Sequence, residues 1–152
     1  VDVRQLDAAD SAELKAWIGF YKSLRERLHE GQVWRGRGED GLVWQAHGDA
    51  DAQDLLLLVY RTLPTTHRYV PPLRLPMLDA GARYQLRQLL PEGVDPHAGH
   101  HGTAPFFEQL RAPEGLALDG AWLAQAGLPM PRALAETAFI VRLQRLDAGV
   151  AA

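Results

Sequence analysis

The chain of 152 residues has no cysteine, so it can form neither a disulfide nor a thiolate metal site. That leaves the compartment open, because many secreted proteins also lack cysteine. No apolar run approaches the roughly 20 residues that a membrane-spanning helix needs. The longest, Leu55 to Tyr60, suits a buried strand. The formal net charge is −3, which supplies no basic field for nucleic acid or an anionic membrane. The first residues, Val1 to Ala9, carry Asp2, Arg4 and Asp7 and lack the apolar stretch of a signal peptide. The resulting expectations are no nucleic-acid partner, no membrane partner and a cytoplasmic location. Lysine is scarce: 14 of the 16 basic residues are arginine, a pattern of GC-rich coding that carries little about function.

What is present points to a globular domain. An apolar content of 47% is too high for disorder, and the length suffices for one domain with a short appendage. Asp10 and Glu13 have capping-box spacing, and Leu14, Trp17, Ile18, Tyr21, Leu24 and Leu28 then recur on one broad helical stripe. Gly31 is placed to end that helix as a left-handed cap, with Arg27 and His29 in the favourable last turn. Strand patterns follow at close spacing: 32–35, 42–47, 54–60, a short one at 73–75, 83–89, 115–118 and 138–143. Residues 54–60 are nearly continuously apolar and predict a central strand. Tyr84, Leu86 and Gln88 share one face of their strand, as do Phe139, Val141 and Leu143 of theirs. Short helical turns are predicted around 106–110 and 119–126. The fold class is mainly β, an antiparallel β-sandwich behind one N-terminal α-helix. A single helix leading into an all-β domain suggests the tail of something larger.

Several segments carry a family resemblance. Phe20-Tyr21-Lys22-Ser23-Leu24-Arg25 with Leu28-His29-Glu30-Gly31-Gln32-Val33-Trp34-Arg35 resembles the end of the catalytic barrel and the start of the C-terminal domain in bacterial α-galactosidases (melibiases) of glycoside hydrolase family thirty-six. Val70-Pro71-Pro72-Leu73-Arg74-Leu75-Pro76-Met77-Leu78-Asp79 followed by Arg83-Tyr84-Gln85-Leu86-Arg87 is similar to a strand pair of that family. Leu118-Asp119-Gly120-Ala121-Trp122-Leu123 with Gly127-Leu128-Pro129-Met130-Pro131 is similar to a later segment. Met77 stands where the family usually has Gly, and the loop His97 to His101 has no counterpart in the pattern.

The resemblance implies a three-part hydrolase of α-galactosides: an N-terminal β-supersandwich, a (β/α)8 barrel and a C-terminal β domain. Its two catalytic aspartates sit at barrel strand ends. On that reading residues 1–31 are the final barrel helix and linker, and residues 32–152 are the C-terminal β-sandwich domain. The chain carries no catalytic residue and is inactive alone. Its implied partner is the catalytic barrel of the same polypeptide, with α-galactosides reached through the parent enzyme and assembly into a homo-oligomer supported by the domain. No cofactor is expected.

Other residues invite sharper readings. His97, His100 and His101 are candidate metal ligands, though a His-x-x-His without placed carboxylates reads better as a solvated loop, and no metal site is expected. Asp49, Asp51 and Asp54 lack the glycine and closing glutamate of a calcium loop and read as a hairpin turn. Trp34, Trp44 and Trp122 are candidate sugar-binding residues, with Trp34 and Trp44 expected to pair across adjacent strands. They carry the alternative reading, a carbohydrate-binding β-sandwich module. No Ser-His-Asp order, phosphate loop or dinucleotide fingerprint occurs.

Overall fold

The computed structural model describes residues 6–65, 70–94 and 104–146. It opens with helix α1, Ala8–His29, and continues through strands β1 (Gln32–Arg37), β2 (Leu42–Gly48), β3 (Asp54–Arg61) and β4 (Arg83–Gln88). Helix α2 (Pro105–Arg111), strand β5 (Leu116–Asp119), helix α3 (Gly120–Gln125) and strand β6 (Thr137–Leu146) complete it. The strands form one six-stranded sheet in the order β1-β2-β3-β6-β4-β5. Every neighbouring pair is antiparallel. The mainly β, antiparallel class read from the sequence, with its leading helix, is the class observed.

The alternation of side chains divides the sheet into two faces. On the core face Leu55, Leu57 and Val59 of β3 lie opposite Leu143, Val141 and Phe139 of β6. Leu86 and Gln88 of β4 continue the rows, opposite Leu143 and Val141. Tyr84, Leu86, Leu55, Leu57 and Leu143 are fully buried. The layer over this face comes from connecting segments: Leu73, Leu75 and Leu78, Leu110 of α2, Leu123 of α3, then Leu128, Met130 and Ala133. One β-bridge, Leu73 to Leu128, lies in that layer. It replaces the short strand expected at 73–75. Each large aliphatic side chain so buried contributes roughly 1.5–3 kcal/mol, and this packing holds the sheet to its cover.

Arg61 ends β3 on the same face and is 0% exposed. Its guanidinium donates to the Asp40 carbonyl at 3.0 Å. That bond pins the β1–β2 turn, where Asp40 and Gly41 both have positive φ. Burial lowers the Arg61 pKa, and the Asp40 charge opposes that shift.

Helix α1 differs from the rest, because none of its 22 residues is buried. Its N-cap is Asp7, whose carboxylate accepts from the Asp10 N–H at 2.8 Å. The expected cap at Asp10 is therefore three residues late, and Asp10 sits in the first turn where its charge suits the helix dipole. Gly31 has φ of 84° and takes the left-handed position expected of it.

Candidate functional site

The outer face of the sheet carries the polar chemistry, where α1 meets β2 and β3. Asp54 opens β3 and points to this face. Arg142 of β6 grips it with two hydrogen bonds, Nε at 3.0 Å and Nη2 at 2.8 Å. Arg27, in the last turn of α1, donates to the same carboxylate. Burial alone raises the pKa of Asp54, but the hydrogen bonds and charges of Arg142 and Arg27 outweigh it and hold the carboxyl below its ordinary range. The hydrogen bond to Asp54 in turn raises the pKa of Arg142. One carboxylate thus ties the helix to the sheet.

His47 of β2 lies beside this triad, 7% exposed and flanked across the ladder by Val33 and Leu56. Burial lowers its pKa, and Arg35 and His29 push it the same way. The Leu28 backbone opposes them. The His47 imidazole fills the junction, and these influences favour its neutral form. Arg27, Asp54 and His47, with Glu30, Asp49 and Leu56, surround a pocket of about 270 Å³. Among the described residues no cluster of three or more His, Asp or Glu has the arrangement to hold a metal ion.

Trp34 and Trp44 both lie on the core face of the first hairpin. The register sets Trp34 against Ala46 and Trp44 against Gly36, so the two are diagonal neighbours and not a directly opposed pair. Gly36 has no Cβ, and one built there would stand 2.6 Å from the Trp44 ring, so the indole packs down on the glycine backbone. Both tryptophans are half-buried against the core. Trp122 lies on α3, after β5 at the far edge of the sheet, and is 41% exposed. The three candidates are therefore not brought to one site. His97, His100 and His101 lie outside the described residues. Asp49 accepts from the Gln53 N–H at 2.7 Å, which makes it the turn residue expected of it.

Two of the segments that carried the family resemblance, 70–87 and 118–131, meet in space and build scaffold. The Leu73 and Leu128 backbones exchange two hydrogen bonds of 2.8 Å, and the Leu75 N–H donates to the Leu123 carbonyl at 3.1 Å. The Asp79 N–H donates to the Tyr84 hydroxyl at 3.1 Å, and the Asp79 carboxylate pairs with Arg145 at 3.0 Å. Gly120 runs so close to the Asp79 carbonyl that no Cβ fits there, which explains a glycine after Leu118-Asp119.

Residues 42–148 match the family model for the glycosyl hydrolase family 36 C-terminal domain. The chain belongs to that family. An α-galactosidase of Escherichia coli is 28% identical over 142 residues, covering 91% of this chain and 20% of that protein. The fold matches the family 36 α-galactosidase AgaB of Geobacillus stearothermophilus with a TM-score of 0.65 at 21% identity, over 95% of this chain and 17% of that one. It matches the α-galactosidase of Lactobacillus brevis with a TM-score of 0.67 at 14% identity, over 100% of this chain and 19% of that one. The chain therefore spans about a fifth of the length of these relatives.

Proposed function

We propose that this chain is the non-catalytic accessory end of an α-galactosidase that hydrolyses terminal α-galactosides, and that it packs on and stabilises the catalytic barrel. In this reading residues 1–31 are the last barrel helix and its linker, and residues 32–152 are the accessory domain. The observation that carries it is the state of α1. A helix of 22 residues has no buried side chain and leaves Leu14, Ile18 and Tyr21 exposed at 38%, 46% and 50%. Those residues recur at i, i+4 and i+7 on one stripe, the pattern of a helix face made to be covered. The same helix is tied to the sheet by the Arg27–Asp54 ion pair. It is thus anchored on one side and uncovered on another.

The test is to delete residues 32–152 from the full-length enzyme. Melting temperature and soluble yield should fall, and the kinetics of the surviving soluble fraction should change little. Unchanged melting and solubility would remove the reading.

A second reading, sugar binding, is favoured by one observation. Trp44 borders a groove of about 510 Å³ with Arg37, Glu39, Arg74, Pro71 and Pro72. An aromatic body beside planar charged groups suits a sugar's apolar face and hydroxyls. Tryptophan emission should respond to millimolar galactose or raffinose if the groove binds sugar. No response would leave only the accessory role.

A further inference from the structure

The outer face of the sheet holds a second uncovered surface beside α1. Val43, Leu58, Tyr60, Ala138 and Ile140 line an open groove of about 360 Å³, with Arg35 at its rim. All six project from β1, β2, β3 and β6 on the face opposite the core. Tyr60 is 40% exposed. The groove lies toward the end of β3 away from Asp54, so the ion triad does not cover it.

Helix α1 packs on this same face through β2, whose His47 is influenced by Leu28 and His29 of the last helical turn and by Arg35 of β1. One flank of the helix, Ala12, Lys15, Ala16 and Gly19, faces Leu90, Pro91 and Glu92 beyond β4. Strand β4 is on the far side of β6 from β2 and β3. At 100° per residue the opposite flank of α1 carries Leu14, Ile18 and Tyr21, and it therefore looks across the sheet toward the groove. Two apolar surfaces, one helical and one on the sheet, border a common wedge.

The charge around the wedge specifies what fits it. Arg25 continues the Leu14–Ile18–Tyr21 row by one more turn, and His29 reaches Tyr21 along the same flank with a 3.3 Å hydrogen bond. Arg35 stands on the sheet side. Neither Arg25 nor Arg35 is ion-paired among the described residues, and the carboxylate of Asp54 is held by Arg27 and Arg142. Among the described residues the negative charges on that flank are Asp7 and Asp10, both at the far end of the row.

We propose that this wedge receives an amphipathic helix from the rest of the same polypeptide, with an apolar face flanked by carboxylates that meet Arg25 and Arg35. The inference rests on the accessory-domain reading and deepens it by naming the surface and the chemistry of its occupant. Relatives are about five times longer than this chain, so the polypeptide available to supply such a helix is ample. Apolar burial draws the helix in, and the two guanidinium groups fix its direction.

The experiment places a photo-crosslinking phenylalanine derivative at Tyr60 of the full-length enzyme, with matched variants at Ile18 and Trp122. All three positions are exposed, so each substitution leaves the core intact. The expected result is an intramolecular cross-link from position 60 to a helix of the preceding sequence that carries Asp or Glu beside its apolar face, and none from position 122 to that helix. A cross-link from position 60 to a second copy, seen as a band of twice the mass, overturns the proposal. So does silence at position 60 while position 18 cross-links to the preceding sequence, which leaves the accessory reading standing. Silence at both positions overturns both.

Discussion

Asp54 offers the most direct test of how α1 is held. Asp54→Asn keeps the shape of the side chain and removes its charge. The carboxylate serves Arg142 through two bonds of 3.0 and 2.8 Å and also serves Arg27. Hydrogen bonds to charged groups are worth roughly 1.5–3 kcal/mol where buried, and exposed ion pairs about 0.2–1 kcal/mol. Asp54 is 26% exposed and both arginines 36%, so this site falls between those limits. The two pairs together should contribute about 2 kcal/mol once solvent screening is included. In a domain of this size that corresponds to a fall of roughly 4–8 °C in Tm.

The pH dependence adds a sharper requirement. The folded pKa of Asp54 is depressed, so its contribution is complete above the unfolded value of about 3.9 and is lost as pH falls through the lower folded value. The gap between wild type and Asp54→Asn should be flat from pH 5 to 8 and should close below about pH 4. Urea unfolding at a series of pH values measures it. A cycle with Arg27→Met separates the helix bond from the strand bond, and a coupling of about 1 kcal/mol is expected for Arg27 with Asp54. A gap under about 0.5 kcal/mol at pH 7, or one that persists unchanged at pH 2, would show that the triad does not hold the helix.

Three further outcomes follow from the same structure. Leu57→Ala removes a fully buried side chain from the central strand and should cost about 3 kcal/mol in urea unfolding with an unchanged m value. Gly36→Ala sets a Cβ 2.6 Å from the Trp44 ring, and it should cost about 1–3 kcal/mol and shift tryptophan emission as the indole moves. His47 has a folded pKa below its unfolded value, so the unfolded chain binds the proton more readily and stability should fall as pH drops below about 6.5. His47→Leu should flatten that slope, as read by Tm at pH 5, 6 and 7.

The elements that the sequence announced are those with a local pattern. Tyr84, Leu86 and Gln88 alternate, and all three are buried. Phe139, Val141 and Leu143 do the same, although β6 runs from Thr137 to Leu146 and so extends past the apolar run at both ends. The helix boundary at Gly31 was legible because a glycine followed the last apolar turn. The cap at the other end was not, because Asp7 and Asp10 are the same residue type three positions apart and only the backbone geometry decides which side chain reaches the free N–H groups. Trp34 and Trp44 could be placed on neighbouring strands, but their diagonal offset depends on a hairpin register that composition does not determine.

The ion triad marks the deeper limit. In the sequence Asp54 reads as the tail of a turn and Arg142 as one outward residue of the last strand, 88 positions away. Nothing local connects them. The connection exists because β6 enters the sheet between β3 and β4, which sets Asp54 opposite Gln144 and makes Arg142 its diagonal neighbour. That insertion is driven by the other face, where Leu55, Leu57 and Val59 need Leu143, Val141 and Phe139. A one-residue slip would turn all of them outward. The apolar register therefore fixes the polar one, and the position of the carboxylate that Arg27 meets depends on that core. The attachment of α1 to this domain is thus a consequence of the core packing of β3 against β6. A substitution that weakens that register on the buried face should loosen the helix on the opposite face.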